Sequence, residues 1–122
     1  MVNPTTGIVM GHEASGVIAS IGSAVTQVAV GDRVAIEPGT PCRFCSACKS
    51  GEYHLCRQMR FAAAPGPPDT QGTLSKYFRI AEDFVYKVGD EISLEEAVLV
   101  EPVSVAVHAV KLADVRPGET VV

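Results

Sequence analysis

The chain has 122 residues, and 10 Lys and Arg stand against 14 Asp and Glu, which gives a formal net charge of −4. This length suits one domain rather than two. The acidic balance argues against a nucleic-acid-binding protein, which normally carries a basic patch. No apolar run approaches the roughly 18 residues of a membrane helix, and no secretion signal is visible. We therefore expect a cytoplasmic protein with neither nucleic acid nor membrane as a partner.

The sequence predicts many short strands, because its 11 Gly and 8 Pro are spread along the chain as turn residues. Turns at Gly22-Ser23 and Gly31-Asp32 indicate a β-meander in the first third of the chain. Ala- and Pro-rich residues 62–71 indicate a surface loop with polyproline-II character. Alternating or short apolar runs predict strands over 8–10, 17–21, 33–36, 72–80, 84–88 and 119–122.

Helical signals appear only near the end of the chain. Ser93 is followed three residues later by a Glu, which is a capping box for a helix over 94–100. Pro102 interrupts that run, and it should push the preceding Glu101 out of the helical region. A second helix is then expected over 103–112, because Pro suits a first helical position. The apolar face of this helix holds Val103, Val107 and Val110. Together these elements predict a mainly β fold with a few helices (α+β).

All four cysteines lie within residues 41–57, a segment called the Cys lobe below. Their spacing is C-x2-C-x2-C-x7-C, formed by Cys42, Cys45, Cys48 and Cys56. Four thiolates that converge on one tetrahedral ion make a closed structural zinc site. Two disulfides and four unliganded core cysteines are the alternatives. An iron–sulfur cluster is a further alternative, although the bacterial ferredoxin pattern places its fourth Cys after three residues and before Pro. Zinc is favoured, and a closed site leaves the chemistry to other residues.

His12 and Glu13 are adjacent and follow Gly11. Neighbours on a regular strand point to opposite faces, so both side chains can face one metal only if the backbone bends, which Gly11 permits. Imidazole and carboxylate both bind zinc, and three such ligands with an open position make a catalytic site. The dipeptide alone is a weak signal, because His-Glu pairs usually lie on the surface.

Glu101 lies at the predicted helix break in an apolar stretch, where it is either an exposed helix-end residue or an acid that faces a metal or substrate. Phe61 is either a core residue or the wall of a pocket. His54 lies between two Cys ligands and is expected to pack or cap there. His108 is interpreted as a core or interface histidine, because no acidic residue is near it in the sequence.

Several phrases of the sequence resemble the zinc-dependent medium-chain dehydrogenases/reductases. They are GHEASGVI, GDRVAIEPG and the four-cysteine spacing. Within that family the polyol branch is most similar, which comprises the sorbitol, xylitol and L-arabinitol dehydrogenases. The phrases that carry this branch are AIEPG, FAAAP and EPVSVAVHA. The retained Cys lobe favours the fungal type of xylitol or arabinitol enzyme.

The resemblance implies a role for each candidate residue. His12 is similar to the catalytic zinc histidine. Glu13 is similar to the carboxylate beside it, which ligates zinc directly in the sorbitol branch and does not touch the ion in some relatives. Glu101 is similar to the acid that holds the substrate hydroxyl or the water at the zinc, and Phe61 to a wall of the polyol pocket. The implied reaction oxidises a sugar alcohol to a ketose with hydride transfer to NAD. The implied cofactors are Zn²⁺ and NAD, the substrate is a small polyol, and the assembly is a homotetramer or homodimer.

The resemblance also implies a fold and its division. Residues 1–100 would belong to a GroES-like, zinc-containing catalytic domain without its N-terminal part, and 101–122 to a linking helix and the start of a Rossmann domain. The family's first catalytic zinc ligand is a Cys well upstream of the His-Glu motif, and no residue before His12 is Cys. No G-x-G-x-x-G fingerprint is present either. We therefore expect an incomplete enzyme that is inactive as an isolated chain.

Two alternatives remain. One is a non-enzymatic zinc-binding scaffold that retains only the Cys lobe. The other is a quinone reductase of the same superfamily, which is disfavoured because those enzymes usually lack both zinc sites.

Overall fold

The computed structural model describes residues 7–65 and 70–121. It contains two antiparallel sheets, three α-helices and two short 3-10 turns at Tyr53–Leu55 and Glu82–Phe84. The strands are β1 (Ser15–Val17), β2 (Arg33–Ile36), β3 (Gly39–Thr40), β4 (Arg60–Phe61) and β5 (Val85–Lys87). The helices are α1 (Ser46–Lys49), α2 (Leu94–Ala97) and α3 (Val100–Ala113). None of these helices is long and apolar enough to cross a membrane.

The larger sheet has β2 at its centre, with β1 and β5 on either side. Ala35 of β2 lies opposite Ser15 of β1 and Tyr86 of β5. Val34 and Ala35 are almost completely buried, with 3% and 2% of their surface exposed. A central strand buried on both faces accounts for the continuous apolar run that predicted it.

The smaller sheet pairs β3 with β4, so that Gly39 lies opposite Phe61. The Cys lobe lies between these two strands in sequence. Its ends are therefore fixed by a strand pair, which closes the lobe into a loop.

Helix α2 lies against β1 and β2. Ser93 begins the helix with the predicted capping box, in which its hydroxyl accepts from the Glu96 backbone N–H and the Glu96 carboxylate accepts from the Ser93 N–H. Ala97 is fully buried, with 0% exposure. The Ser15 hydroxyl donates to the Leu94 carbonyl at 2.6 Å and joins the helix to the sheet. This contact fixes where the chain enters α3.

The prediction for the start of the second helix was wrong. Glu101 is inside α3, because the helix begins at Val100 rather than after Pro102. Pro102 is thus the third residue of the first turn, where backbone N–H groups have no intrahelical partner. Its missing N–H costs no helical hydrogen bond there. The break in the helical run lies earlier, after Ala97.

Several predicted strands are shorter or absent. The strand predicted over 17–21 begins earlier and ends at Val17, and residues 8–10, 72–80 and 119–121 form no strand. Local bonds compete with pairing in two of these segments: the Ser75 hydroxyl donates to Tyr77 O, and the Arg116 N–H donates to the Glu119 carboxylate. Val122 and part of the 62–71 loop lie outside the described residues.

Gly11 holds a left-handed backbone conformation, with φ of +89°. Residues 72–74 lie directly over it, and the Thr73 N–H donates to the Gly11 carbonyl at 2.8 Å. A Cβ added to Gly11 would lie 2.8 Å from Leu74 Cγ and 3.1 Å from Thr73 Oγ1. Both the conformation and the close packing therefore require glycine here.

We expect Gly11→Ala to destabilise the chain by about 1–3 kcal/mol, because the variant combines a strained φ with a steric clash. The measurement is the free energy of unfolding in urea. Gly16→Ala is the matched control, since a Cβ there meets no atom within 4 Å and its φ is not positive. Equal stabilities of the two variants would contradict the prediction.

The apolar side chains of α3 are largely exposed. Val103, Val107 and Val110 have 54%, 48% and 58% of their surface accessible. A contiguous apolar surface of this kind favours association in water.

We expect the chain to associate as its concentration rises, and Val107→Glu to shift the equilibrium toward monomer in sedimentation experiments. Gln27→Glu adds the same charge elsewhere and should leave association unchanged. A wild-type chain that is monomeric at all concentrations would contradict this expectation.

Candidate metal centres

The structure brings the four cysteines of the Cys lobe together. Their Sγ atoms all lie within 4.8 Å of one another. The Cys45–Cys48 and Cys42–Cys48 Sγ–Sγ distances are 3.4 and 3.9 Å. Helix α1 supplies Cys48, the turn at Tyr53–Leu55 places Cys56, and Cys42 and Cys45 come from the irregular segment before α1.

The geometry of this cluster fits a zinc ion. Four thiolates at the usual Zn–S distance of about 2.3 Å lie about 3.8 Å apart at tetrahedral angles. The two observed separations lie close to that value. Cys56 is buried and the other three are partly buried, as is typical of a closed site.

Backbone N–H groups also point at the sulfur atoms. Phe44 and Cys45 donate to Cys42 Sγ at 3.5 and 3.4 Å, and Cys42 donates to Cys56 Sγ at 3.3 Å. The two bonds to Cys42 lower the pKa of its thiol to about 6. Partial burial, together with the neighbouring thiols, raises the pKa of Cys48 to about 12. The protein thus favours the thiolate of Cys42 and disfavours that of Cys48, and a bound cation would favour the thiolate of Cys48 as well.

The Cys lobe is attached to the sheet through Arg43. Its guanidinium contacts the Asp83 carboxylate at 2.8 Å and lies 5.5 Å from the centroid of the Phe84 ring. The ring of Tyr53 meets the same Phe84 edge-on at 6.0 Å. The hydrogen bond from Arg43 holds the pKa of the Asp83 carboxyl below its usual value. The lobe thus rests on the segment that begins β5.

A second cluster joins His12, Glu13 and Glu101. Each offers one ligand atom, and these atoms lie within 4.8 Å of one another. His12 and Glu13 follow the bend at Gly11, and Glu101 comes from the first turn of α3. The positive end of the helix macrodipole favours a carboxylate at that position. One imidazole and two carboxylates are a donor set that fits Zn²⁺.

Phe61 lies beside this cluster. Its ring centroid is 5.3 Å from that of His12, with the planes tilted by 59°. The ring is 37% exposed, so one part packs on the histidine and another faces solvent. Phe61 is therefore not a core residue, and its role as a pocket wall stays a prediction.

The two remaining histidines meet each other. His54 and His108 have ring centroids 5.8 Å apart, and both side chains are exposed. Of the two interpretations of His108, the core residue is therefore wrong, and the interface residue stays a prediction. No signal in the sequence indicated this pair, because its members come from distant elements. No sequence signal indicated Thr73 and Leu74 either, because their packing over Gly11 depends on the tertiary fold.

Comparison with known proteins agrees with this architecture. Residues 1–90 match the alcohol dehydrogenase GroES-like domain. The chain is 57% identical to probable D-xylulose reductase A of Aspergillus clavatus over 115 residues, which are 94% of the chain and 31% of that protein. It is 58% identical to D-xylulose reductase A of Aspergillus oryzae over the same shares. The chain thus spans about a third of the length of these curated relatives.

A solved structure shows the same fold. The chain matches an Escherichia coli oxidoreductase/dehydrogenase of unknown specificity involved in membrane biogenesis, with a TM-score of 0.88 and 42% identity. The match covers 97% of this chain and 33% of that one. The expected GroES-like fold is therefore confirmed, and the chain belongs to the alcohol dehydrogenase GroES-like domain family.

Proposed function

We propose that this chain is the metal-holding part of a zinc-dependent polyol dehydrogenase. The whole enzyme would oxidise a secondary alcohol of a sugar alcohol to a ketose, with hydride transfer to NAD. The observation that carries the proposal is the convergence of His12, Glu13 and Glu101 on one point. The names of the relatives support the substrate class, because D-xylulose is the ketose of a five-carbon polyol.

His12, Glu13 and Glu101 would hold the catalytic zinc. When bound, that ion supplies Lewis-acid chemistry, which lowers the pKa of a hydroxyl group. The two carboxylates balance its double positive charge. His12 would contribute an imidazole nitrogen, and the Phe61 ring packed against the imidazole restricts its orientation.

Glu101 is the residue best placed to act on substrate. It is part of a rigid helix, and its carboxylate can accept a hydrogen bond from a substrate hydroxyl. A carboxylate is also a harder ligand than a thiolate, which suits a substrate with several hydroxyl groups. Phe61 would form an apolar wall that excludes water from one side of the polyol.

The Cys lobe would have a structural role. Its four thiolates leave no position open for a substrate, so a zinc ion there would stabilise the fold without taking part in the reaction. Reduced, metal-held thiols also suit a cytoplasmic enzyme. We further propose the division into residues 1–100 and 101–122 stated above, NAD binding outside this chain, and a homodimeric or homotetrameric enzyme.

The competing function is a zinc-binding scaffold without catalysis. The completeness of the Cys cluster favours it, because that site alone needs no further residue. The two proposals differ in the number of metal sites, which makes metal analysis decisive.

We expect the purified chain to bind two zinc ions, measured by elemental analysis. Cys56→Ser should remove one ion and lower the melting temperature, because a structural site contributes directly to folding. His12→Ala should remove only the other, weaker ion. One zinc per chain, lost only when cysteines are replaced, would support the scaffold instead.

We expect Glu101→Gln, made in the complete enzyme, to lower kcat/KM for NAD-linked xylitol oxidation by about 100-fold or more. That loss corresponds to about 3 kcal/mol of transition-state stabilisation. Glu95→Gln is the matched control, because Glu95 is an exposed carboxylate on α2. Equal activity of the Glu101 and Glu95 variants would exclude a catalytic role for Glu101.

The isolated chain should show no NAD-dependent turnover, because it holds no nucleotide-binding fingerprint. The measurement is NADH absorbance with xylitol and the zinc-loaded chain. Turnover that survives repeated purification would contradict this expectation.

A further inference from the structure

Two of the three histidines of the chain lie outside both metal clusters. His54 is on the 3-10 turn Tyr53–Leu55 of the Cys lobe, and His108 is in the middle of α3. Their rings are 5.8 Å apart between centroids, at an interplanar angle of 68°. The proposed function uses neither of them.

We propose that His54 and His108 form a labile site for a divalent transition-metal ion such as Ni²⁺, Cu²⁺ or Zn²⁺. Imidazole is a ligand that these ions share. Two imidazoles that bind one ion at about 2.0–2.1 Å at a tetrahedral angle have ring centroids about 5 Å apart. The observed separation is close to this value, and exposed side chains can rotate to close the remaining gap.

The chemistry of the pair predicts a weak, exchangeable site. Among the described residues, no third His, Cys or carboxylate joins this pair in a cluster of ligand atoms. Water would therefore complete the coordination, unlike in the Cys lobe, where four protein ligands surround the ion. Two imidazoles on neighbouring elements should still bind more tightly than one, because the second acts at high effective concentration.

An ion bound by this pair would connect the Cys lobe to α3. His54 belongs to the lobe and His108 to the helix, so one bound ion would link two elements that are distant in sequence. An ion that binds only the folded chain raises its stability as its concentration rises. The site is independent of the proposed dehydrogenase function, since it shares no residue with either cluster.

The test is calorimetric titration of the zinc-loaded chain with Ni²⁺. We expect one Ni²⁺ per chain, bound about 10-fold more weakly after His54→Asn or after His108→Asn. The double variant should show no Ni²⁺ binding at this place, because each single variant keeps one imidazole as a weak ligand and the double variant keeps none. Lys111→Gln, on the same helix, is the matched control and should bind Ni²⁺ as the wild type does.

A second measurement separates loss of the site from loss of the fold. Elemental analysis should find the zinc content of both variants unchanged, and Ni²⁺ should raise the melting temperature of the wild type only. Equal Ni²⁺ affinity in the wild type and both histidine variants would overturn the proposal. Two weakly bound Ni²⁺ ions per wild-type chain, of which each substitution removes one, would also overturn it, because they would show two separate single-histidine sites.

Discussion

The packing of α2 against the three-stranded sheet determines how the two parts of the candidate catalytic cluster meet. One part is His12 and Glu13, and the other is Glu101. Ala97 is fully buried in this junction, and the Ser15 hydroxyl bonds the Leu94 carbonyl across it. His12 and Glu13 come just before β1, and Glu101 comes just after Ala97. The junction therefore brings together ligands that are far apart in the sequence. A larger side chain at Ala97 would push α2 away and separate them.

The two clusters differ in the way their ligands are held. The cysteines lie on a single loop whose ends are fixed by the β3–β4 pair, so the lobe can assemble from local structure. The His12, Glu13 and Glu101 cluster depends on the bend at Gly11, on the cover provided by Thr73 and Leu74, and on the position of α3. The proposed structural zinc site thus depends on local structure, whereas the proposed catalytic site requires the tertiary fold. Such a division suits an enzyme, in which an open site must be held by a rigid surrounding structure.

The sequence predicted the features that depend on local chemistry. The structure contains the cluster of four cysteines, the capping box at Ser93 and the β2 strand. Each was predicted because its signal lies within a few neighbouring residues. The bend at Gly11 followed from the need to turn two adjacent side chains to one face. The predictions that failed depend on competition between interactions. Residues 72–80 alternate like a strand, yet local bonds at Ser75 and packing over Gly11 hold them in irregular structure.

The backbone position of Glu101, a residue of the candidate site, was also predicted wrongly from local signals. Its proline neighbour suggested a helix break, whereas the structure places it in the first turn of α3, where Pro102 is tolerated. Only the tertiary position of that turn brings the carboxylate to His12. The family resemblance identified the residue, and its proximity to His12 and Glu13 is a result of the structure.

The central claim is that His12, Glu13 and Glu101 form a metal site separate from the cysteines. The most direct test is cadmium-113 NMR of the cadmium-substituted chain, because the chemical shift separates a four-thiolate site from one with nitrogen and oxygen ligands. We expect two resonances, of which His12→Ala abolishes only the nitrogen and oxygen one. A single four-thiolate resonance, unchanged in that variant, would contradict the account.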